Sequence, residues 1–426
     1  MNKQADTIDT EKIAILLPSL LGGGTERSVL TLAKGLKSKI KEIHLLALEK
    51  GVDYEIEQGL VFHYLSPFDG RQSNNNSILY KNLYYPKQIY NLIKYLKRNN
   101  IRTVLSFLER ANFLNIFTNK FYRHRIITNT RTTLSKNYGV HFNALKRMMS
   151  HTMFKYYLPK SDLILCNSKG IKYDLEKSFH INPEEIKVIY NSYDIDKIKT
   201  LSTEPLEPEY RGIFDSPVII NVGRLTTPKG QWHLIRSFKN VKEKINHAKL
   251  VILGDGDYEI RLKQLVHDMA LVNDVHFLGF QKNPYKFLSK AKVFVLSSIW
   301  EGFPNVIAEA MICGTPIISS DCRSGPREIL APDTDVSRET DIIEYAKYGI
   351  LVPTPDGKLT AHDTQLTKEE MLMADAMMTL LSDEKLRSDY RARIASRIVD
   401  FDQTKIVQQY LNTIVLMQKN GSGVKI

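Results

Sequence analysis

Two strand-like apolar runs, Val293-Phe294-Val295-Leu296-Ser297-Ser298 and Gly314-Thr315-Pro316-Ile317-Ile318-Ser319-Ser320, enclose Trp300-Glu301-Gly302-Phe303-Pro304-Asn305-Val306-Ile307-Ala308-Glu309-Ala310-Met311. The order strand, tight turn, helix, strand constrains the chain more than any other feature. Strands joined through a helix run parallel, and parallel sheets belong to α/β folds with both faces covered. Gly302 lets the backbone turn or come close to a ligand. Pro304 suits the first helical position, where its missing N–H costs nothing. Val306, Ile307, Ala310 and Met311 form an apolar stripe at helical spacing, and Gly314 ends the helix. The pattern predicts an exposed helix N-terminus at the carboxyl end of a parallel strand. Free N–H groups and the positive end of the helix dipole there favour an anion such as a diphosphate. Glu301 stands before the helix, within reach of a ligand at its tip. Glu309 lies one to two turns in, placed to accept hydrogen bonds from vicinal hydroxyls.

Each part alone has a plain structural reading: a proline that starts a helix, a glutamate in solvent. Together they resemble the E-x7-E signature of the retaining GT-B glycosyltransferases of family 4, with Glu301 and Glu309 at the required spacing. The resemblance implies that Glu301 contacts the donor sugar. It implies a diphosphate held by the tip residues Gly302, Phe303, Pro304, Asn305 and Val306, and ribose hydroxyls held by Glu309.

At 426 residues the chain is long enough for two cores, and 43% hydrophobic with 25% charged residues is a soluble, globular composition. The three cysteines, Cys166, Cys313 and Cys322, form no CxxC pair and suggest a reducing compartment. No apolar run approaches the ~18 residues of a spanning helix. The polar start, Met1 to Asp6, is unlike a signal peptide, so a cytoplasmic protein is expected. Charge is one-sided. Residues 1–190 carry a net +13 and the remainder −1, and residues 71–160 hold 17 basic residues against the single acidic Glu109. Such a field attracts nucleic acid, an anionic membrane face or a pyrophosphate-bearing substrate, and its sign does not choose among them.

Along the chain, Lys12-Ile13-Ala14-Ile15-Leu16-Leu17 reads as a buried parallel strand. It runs into Leu21-Gly22-Gly23-Gly24-Thr25-Glu26-Arg27 and a helix. A glycine loop there suits close approach to phosphate, with a tight turn as an equally good reading. The family resemblance makes Gly23 and Gly24 donor-side residues. Further strands are expected at Ile43–Leu48, Thr103–Phe107, Arg125–Ile127, Asp162–Cys166 and Lys187–Tyr190. The helix after Pro86 places Ile89, Leu92, Ile93 and Leu96 on one face and Lys87, Lys94 and Arg98 on the other, flanked by Tyr90 and Tyr95. Its outward face is read either as a solvated basic side or as a contact for anionic lipid headgroups. Two loops, around Glu109 and around Arg131, are candidates to touch an acceptor, with a structural salt bridge as the alternative for each. Other tyrosines, Tyr84, Tyr85, Tyr156 and Tyr157, read as packing residues.

The Pro- and Glu-rich segment Thr203–Glu209 reads as a linker. A second α/β alternation starts with Pro217–Leu225. Arg224 and Lys229 then sit at the carboxyl end of a strand, where open α/β sheets bind ligands. Gly223-Arg224-Leu225 followed by Lys229-Gly230 resembles the family's second signature, whose cations bind the donor pyrophosphate. Asp255-Gly256-Asp257 looks like a metal-binding Asp-x-Asp, but an N-cap turn explains both aspartates, and no metal or other cofactor is expected. The resemblance sets Gly279, at the end of Val275–Gly279, beside the nucleobase. Ser320–Ile329 places a further small-residue loop against the donor, or simply caps a helical turn.

The alternation is that of an α/β chain, and the resemblance implies the GT-B type, with two Rossmann-like domains facing across a cleft. The expected parts are a tail at 1–11, an acceptor-side domain at 12–195 joined by a helix near 403–419, a linker at 196–215, and a nucleotide-sugar domain at 216–402. The implied reaction is metal-independent, retaining hexosyl transfer from a nucleotide-diphosphate sugar, UDP-linked in the first instance with GDP-mannose kept open. Arg224, Lys229 and Glu301 form the catalytic set. A lipid-linked glycan acceptor and an anionic inner-membrane surface are the expected partners, with no nucleic acid. That implies peripheral work at the plasma membrane in O-antigen, capsule or lipid-linked oligosaccharide assembly. The alternatives are a UDP-sugar epimerase of the same architecture, which should carry several catalytic carboxylates and a histidine, and a basic nucleic-acid-binding protein.

Overall fold

A computed structural model describes residues 12–69, 78–136 and 144–419. The expected N-terminal tail at 1–11 and the polar loop at 71–77 lie outside the described residues. The first set of strands is β1 (Lys12–Leu17), β2 (Glu42–Ala47), β3 (Val61–Tyr64), β4 (Thr103–Phe107), β5 (Arg125–Thr130), β6 (Leu163–Cys166) and β7 (Ile186–Val188). The second is β8 (Val218–Val222), β9 (Lys249–Leu253), β10 (Val275–Gly279), β11 (Val293–Leu296), β12 (Ile317–Ser320), β13 (Glu344–Ala346) and β14 (Gly349–Val352). The α-helices are α1 (Gly24–Leu36), α2 (Ile78–Asn99), α3 (Glu109–Thr118), α4 (Ala144–Tyr157), α5 (Lys169–Phe179), α6 (Ile195–Ser202), α7 (Pro208–Phe214) and α8 (Gln231–Lys244). They continue with α9 (Glu259–Asp268), α10 (Tyr285–Lys290), α11 (Asn305–Ile312), α12 (Pro326–Leu330), α13 (Lys368–Ser382), α14 (Glu384–Ile398) and α15 (Gln403–Lys419).

The chain divides into two units, residues 1–192 with 403–426, and residues 193–402. Each is a seven-stranded sheet with helical crossovers. The first sheet is parallel throughout, in the order β3-β2-β1-β4-β5-β6-β7. The second, β10-β9-β8-β11-β12-β14-β13, is parallel except for the antiparallel β13–β14 pair. Ile13, Ala14, Ile15, Leu16 and Leu17 are all fully buried, as a central strand covered on both faces requires.

In the first unit, α1 and α15 cover one side of the sheet, with Leu32, Leu36, Ile406, Val407, Tyr410 and Ile414 in one cluster with β1. Leu92 and Leu96 of α2 pack with Ala14 and Leu16 in another cluster. In the second unit, Trp232, Ile235 and Phe238 of α8 join Ile219, Ile252 and Val295, together with Met373 and Met377 of α13. Strand order reverses between β1 and β4 in one sheet and between β8 and β11 in the other. Such a reversal opens a crevice at the strands' carboxyl ends, where ligands of open α/β sheets bind.

The structure corrects several expectations. The segment 196–215, expected as a linker, is largely helical: α6 and α7 occupy most of it, and Tyr210 packs its ring on Phe287 of α10 at 5.5 Å. Helix α2 begins at Ile78 and runs through Pro86, because the apolar periodicity continues on both sides of it. Tyr95 does not flank an outward face. Its hydroxyl lies 3.0 Å from Nδ1 of His44 and its ring stacks on His63 at 4.7 Å. Pro304 is the cap of α11 and not its first residue. The Asp255–Asp257 turn does not cap α9, whose N-cap is Tyr258. Among the described residues no helix is long and apolar enough to cross a membrane.

Candidate functional site

The loops after β8, β9, β11 and β12, at the carboxyl edge of the second sheet, are fastened to one another, which is why side chains far apart in sequence meet there. After β8, Leu225 is fully buried, and its N–H bonds the Asp255 carbonyl at 2.7 Å. Its own carbonyl accepts from the Tyr258 N–H at 3.0 Å. Gly254 makes this docking feasible. Its φ is +129°, and a Cβ there would stand 2.1 Å from the Gly223 carbonyl oxygen. The metal-like Asp255-Gly256-Asp257 is thus a clamp on the β8 loop. Among the described residues no cluster of His, Cys, Asp or Glu is placed to hold a metal ion. Arg224, next to the anchored Leu225, is exposed, and its guanidinium has no hydrogen bond or ion pair among the described residues.

The β11 loop is fastened to the same place. The Ile299 N–H bonds the Pro228 carbonyl at 2.8 Å, and the Ser297 hydroxyl donates to the Lys229 carbonyl at 2.9 Å. Gly230, at φ +57°, passes so close to the Ser297 carbonyl that a Cβ would lie 2.5 Å from it. These bonds bring Lys229 Nζ to 2.5 Å from Glu301 Oε1, which also accepts from the Ser298 hydroxyl at 2.7 Å. The Lys229 and Glu301 side chains are 23% and 10% exposed, so the pair is sheltered yet open on one side. An ammonium has three donors, and one bond to Glu301 leaves others for an anion.

The loop after β12 holds the turn of the central motif. The Glu301 N–H bonds the Arg323 carbonyl at 2.9 Å, and its carbonyl accepts from the Ser324 N–H at 3.0 Å. The Ser324 hydroxyl donates to the Gly302 carbonyl at 2.6 Å. Helix α11 opens directly behind this turn, with Pro304 as its N-cap. Asn305 accepts from the Tyr193 hydroxyl at 2.6 Å, and Phe303 meets Phe401 edge-on at 5.7 Å. Glu309 sits in the second turn, 4% exposed, 3.5 Å from the Tyr285 hydroxyl. Val306 is half-buried. Gly279 closes the row: its carbonyl accepts from the Gly254 N–H at 2.8 Å, and Phe280 beside it is 65% exposed. Burial drives the Cys322 thiol well above its ordinary range, so it stays neutral beneath Glu301.

In the first unit, Gly23 caps α1, and its carbonyl accepts from the Tyr54 hydroxyl at 3.0 Å. The Gly22 N–H donates to Asp53 Oδ2 at 3.0 Å. The Glu26 carboxylate fills the space a Cβ on Gly23 would need, and Gly24 opens the helix. Glu109 starts α3 and accepts from the Thr132 hydroxyl at 3.3 Å, while burial raises its pKa. Arg131 is turned inward, on the structural side of its two readings. It is 6% exposed, bonded to Asn191, within 3.5 Å of the Tyr410 hydroxyl and 4.9 Å above the Phe107 ring. It fastens α15 and the β7 loop to the sheet. Sequence reasoning missed Asp53, Tyr54 and the Glu49–Arg110 pair at 2.6 Å. The only signal was position, since Glu49 follows a strand-like run directly.

Residues 22–197 match the family model described as Glycosyltransferase Family 4, and residues 207–352 match Glycosyl transferases group 1. The chain is 31% identical over 408 residues to the N-acetylgalactosamine-N,N'-diacetylbacillosaminyl-diphospho-undecaprenol 4-alpha-N-acetylgalactosaminyltransferase of Campylobacter jejuni, covering 95% of this chain and 100% of that one. It belongs to glycosyltransferase family 4. An uncharacterized glycosyltransferase of Methanocaldococcus jannaschii is 44% identical over 261 residues, which span 60% of this glycosyltransferase and 64% of that protein. The fold matches Anabaena HepE, solved in complex with UDP, at a TM-score of 0.69 and 19% identity, over 95% of this chain and 99% of that one. The family 4 enzyme therefore has the GT-B fold, with two parallel-sheet α/β domains.

Proposed function

We propose that this glycosyltransferase moves an N-acetylhexosamine, N-acetylgalactosamine first among them, from a UDP-linked donor to a hydroxyl of a glycan carried on a polyprenyl diphosphate. Such a reaction extends an O-antigen, capsule or lipid-linked oligosaccharide at the inner face of the membrane. The sugar and acceptor are suggested by the named activity of the Campylobacter relative. The observation that carries the reading is the Lys229–Glu301 contact at the α11 tip with Arg224 exposed beside it.

When the bond between sugar and diphosphate breaks, negative charge grows on the leaving phosphate. Arg224, Lys229 and the first N–H groups of α11 stabilise it, in a site already organised before the donor arrives. Glu301 orients the sugar hydroxyls while Lys229 fixes its carboxylate. Glu309 takes the ribose hydroxyls. Neither glutamate stands out as a nucleophile: Glu301 is held by Lys229 and Ser298, and Glu309 is buried. Double displacement would need a positioned nucleophile on the far face of the sugar. The family resemblance implies retention, and without such a nucleophile the proposed course is same-face attack, the acceptor proton passing to a donor phosphate oxygen.

Thermal shift with UDP-N-acetylgalactosamine, UDP-N-acetylglucosamine, UDP-galactose and GDP-mannose tests this. A UDP-N-acetylhexosamine at a large excess over its Kd is expected to stabilise by about 2–3 kcal/mol, a shift of roughly 5–10 °C. Lys229→Ala and Glu309→Ala should abolish the shift, and the product should keep the α configuration by NMR. A shift with GDP-mannose alone refutes the donor. A shift that survives both substitutions refutes the site.

A further inference from the structure

Helix α4 (Ala144–Tyr157) takes no part in the site above, and its apolar face points the wrong way for a helix packed on a sheet. Of the side chains from Leu145 to Tyr156, only Phe154 is buried. Its ring stacks on Phe113 at 5.3 Å and meets Phe179 edge-on at 5.9 Å. His151 supports the same side, 2.7 Å from the Ser178 carbonyl and stacked on Phe179 at 4.8 Å. Leu145, Met148, Met149, Thr152, Met153 and Tyr156 follow the spacing i, i+3, i+4, i+7, i+8, i+11, so they share the opposite face. Leu145, Met148, Met149 and Tyr156 are each 62% exposed, and Met153 is 37% exposed. A continuous apolar row in water is uncommon on a soluble protein and marks a contact surface.

The rims of the row identify the partner. At helical spacing Lys146 and Lys155 fall on its two sides. Lys160 lies 3.5 Å over the Tyr156 ring and 4.6 Å over the Tyr157 ring. Phe117 of α3 touches Tyr157 at 5.0 Å and carries Lys120 on its own ring at 5.3 Å, while the neighbouring Phe121 is 66% exposed. Helix α4 contains no acidic residue. Two copies meeting through this face would bring only like charges together. An anionic bilayer complements both parts, with apolar side chains at the headgroup–acyl boundary and lysines at the phosphates. Methionine adapts to a disordered acyl surface, and tyrosine suits the interface with one wet end.

We propose that α4 is a membrane-docking helix that lies flat on an anionic lipid surface through Leu145, Met148, Met149, Met153 and Tyr156, with Lys146, Lys155 and Lys160 against the headgroups. Helix α2, the basic helix singled out from sequence, offers no such apolar row, since Leu92 and Leu96 are buried in the domain while Lys87, Lys94 and Arg98 are exposed. The proposal rests on the lipid-linked acceptor only for the reason to dock, because vesicle binding is measured with no substrate present.

Full-length protein is floated with vesicles of phosphatidylethanolamine and phosphatidylglycerol and, separately, of phosphatidylcholine alone. The wild type is expected to bind the first and not the second, and more weakly as salt is raised. A Met148→Gln, Met149→Gln, Tyr156→Gln variant and a Lys146→Gln, Lys155→Gln variant should each lose about tenfold or more in partitioning. Both should keep the wild-type Tm and wild-type transfer to a short-chain, water-soluble acceptor. A Lys87→Gln, Lys94→Gln, Arg98→Gln variant on α2 should still bind. The proposal is overturned if both α4 variants float like wild type, or if the α2 variant alone fails to bind. It is also overturned if wild type is a dimer in sedimentation velocity that the apolar variant dissociates, which would assign the row to a second copy. Because docking is scored without substrate, its failure and a failure of the proposed reaction are read separately.

Discussion

Arg224 and Arg131 show how little a residue type says about its use. Both follow a strand in a basic or ligand-facing setting. Arg224 is exposed beside the Lys229–Glu301 pair, whereas Arg131 is turned inward onto Asn191 and the Phe107 ring. Histidines divide in the same way. His124 is 7% exposed, with Nδ1 2.7 Å from the Tyr122 carbonyl and Nε2 2.8 Å from Asn115 Oδ1. Burial outweighs those acceptors and holds its pKa down at about 4, against 6.5 for the free group. Between those values the unfolded chain binds more protons than the folded one. Stability contributed by His124 is therefore complete above about pH 6.5 and is lost as pH falls toward 4. Urea denaturation near pH 7 and near pH 4.5 should differ by about 2–3 kcal/mol from this group. His124→Gln should remove that share of the slope, and an unchanged slope would assign the acid sensitivity elsewhere.

At the scale of elements, the site is a matter of loops held by loops. The β8, β9, β11 and β12 connections are stitched by backbone bonds, and glycines stand where two backbones come too close for a Cβ. Gly254 and Gly279 separate conformational strain from steric contact. Both have positive φ, +129° and +66°, but only Gly254 would drive a Cβ into backbone, while Gly279 faces open space. Gly254→Ala should cost roughly 2–4 kcal/mol and weaken donor binding through Arg224, and Gly279→Ala only about 1 kcal/mol. Denaturant midpoints with donor titration check this, and equal costs would remove the docking argument. Helix α4 belongs at this scale too. Its stripe at 145, 148, 149, 152, 153 and 156 has the spacing of a core-facing helix, so periodicity detects the row without telling which way it faces.

For the molecule as a whole, the chain's end returns to its beginning. Helix α15 packs Ile406, Val407, Tyr410 and Ile414 onto the first unit, and Asn129 donates to the Tyr410 hydroxyl at 2.9 Å. The approach of α1 to α15 depends on Gly35, where a Cβ would lie 2.4 Å from a Val407 methyl. Gly35→Leu is expected to destabilise the first unit by roughly 1–3 kcal/mol through overpacking. Hydrogen exchange should then quicken in β1, α1 and α15 and stay unchanged in β8 through β12. Equal acceleration in both units would show that they unfold as one.

Sequence alone determined the strand–loop–helix alternation in both units, the central strands and the Glu301–Glu309 spacing. Each of these is written in short-range periodicity and turn chemistry, which a few neighbouring residues decide. Tertiary structure decided which loop clamps which, that Lys229 meets Glu301, that Arg131 and Tyr95 turn inward, and that α4 shows its apolar row to the outside. Burial and partnership depend on groups tens or hundreds of residues away, so no local pattern specifies them.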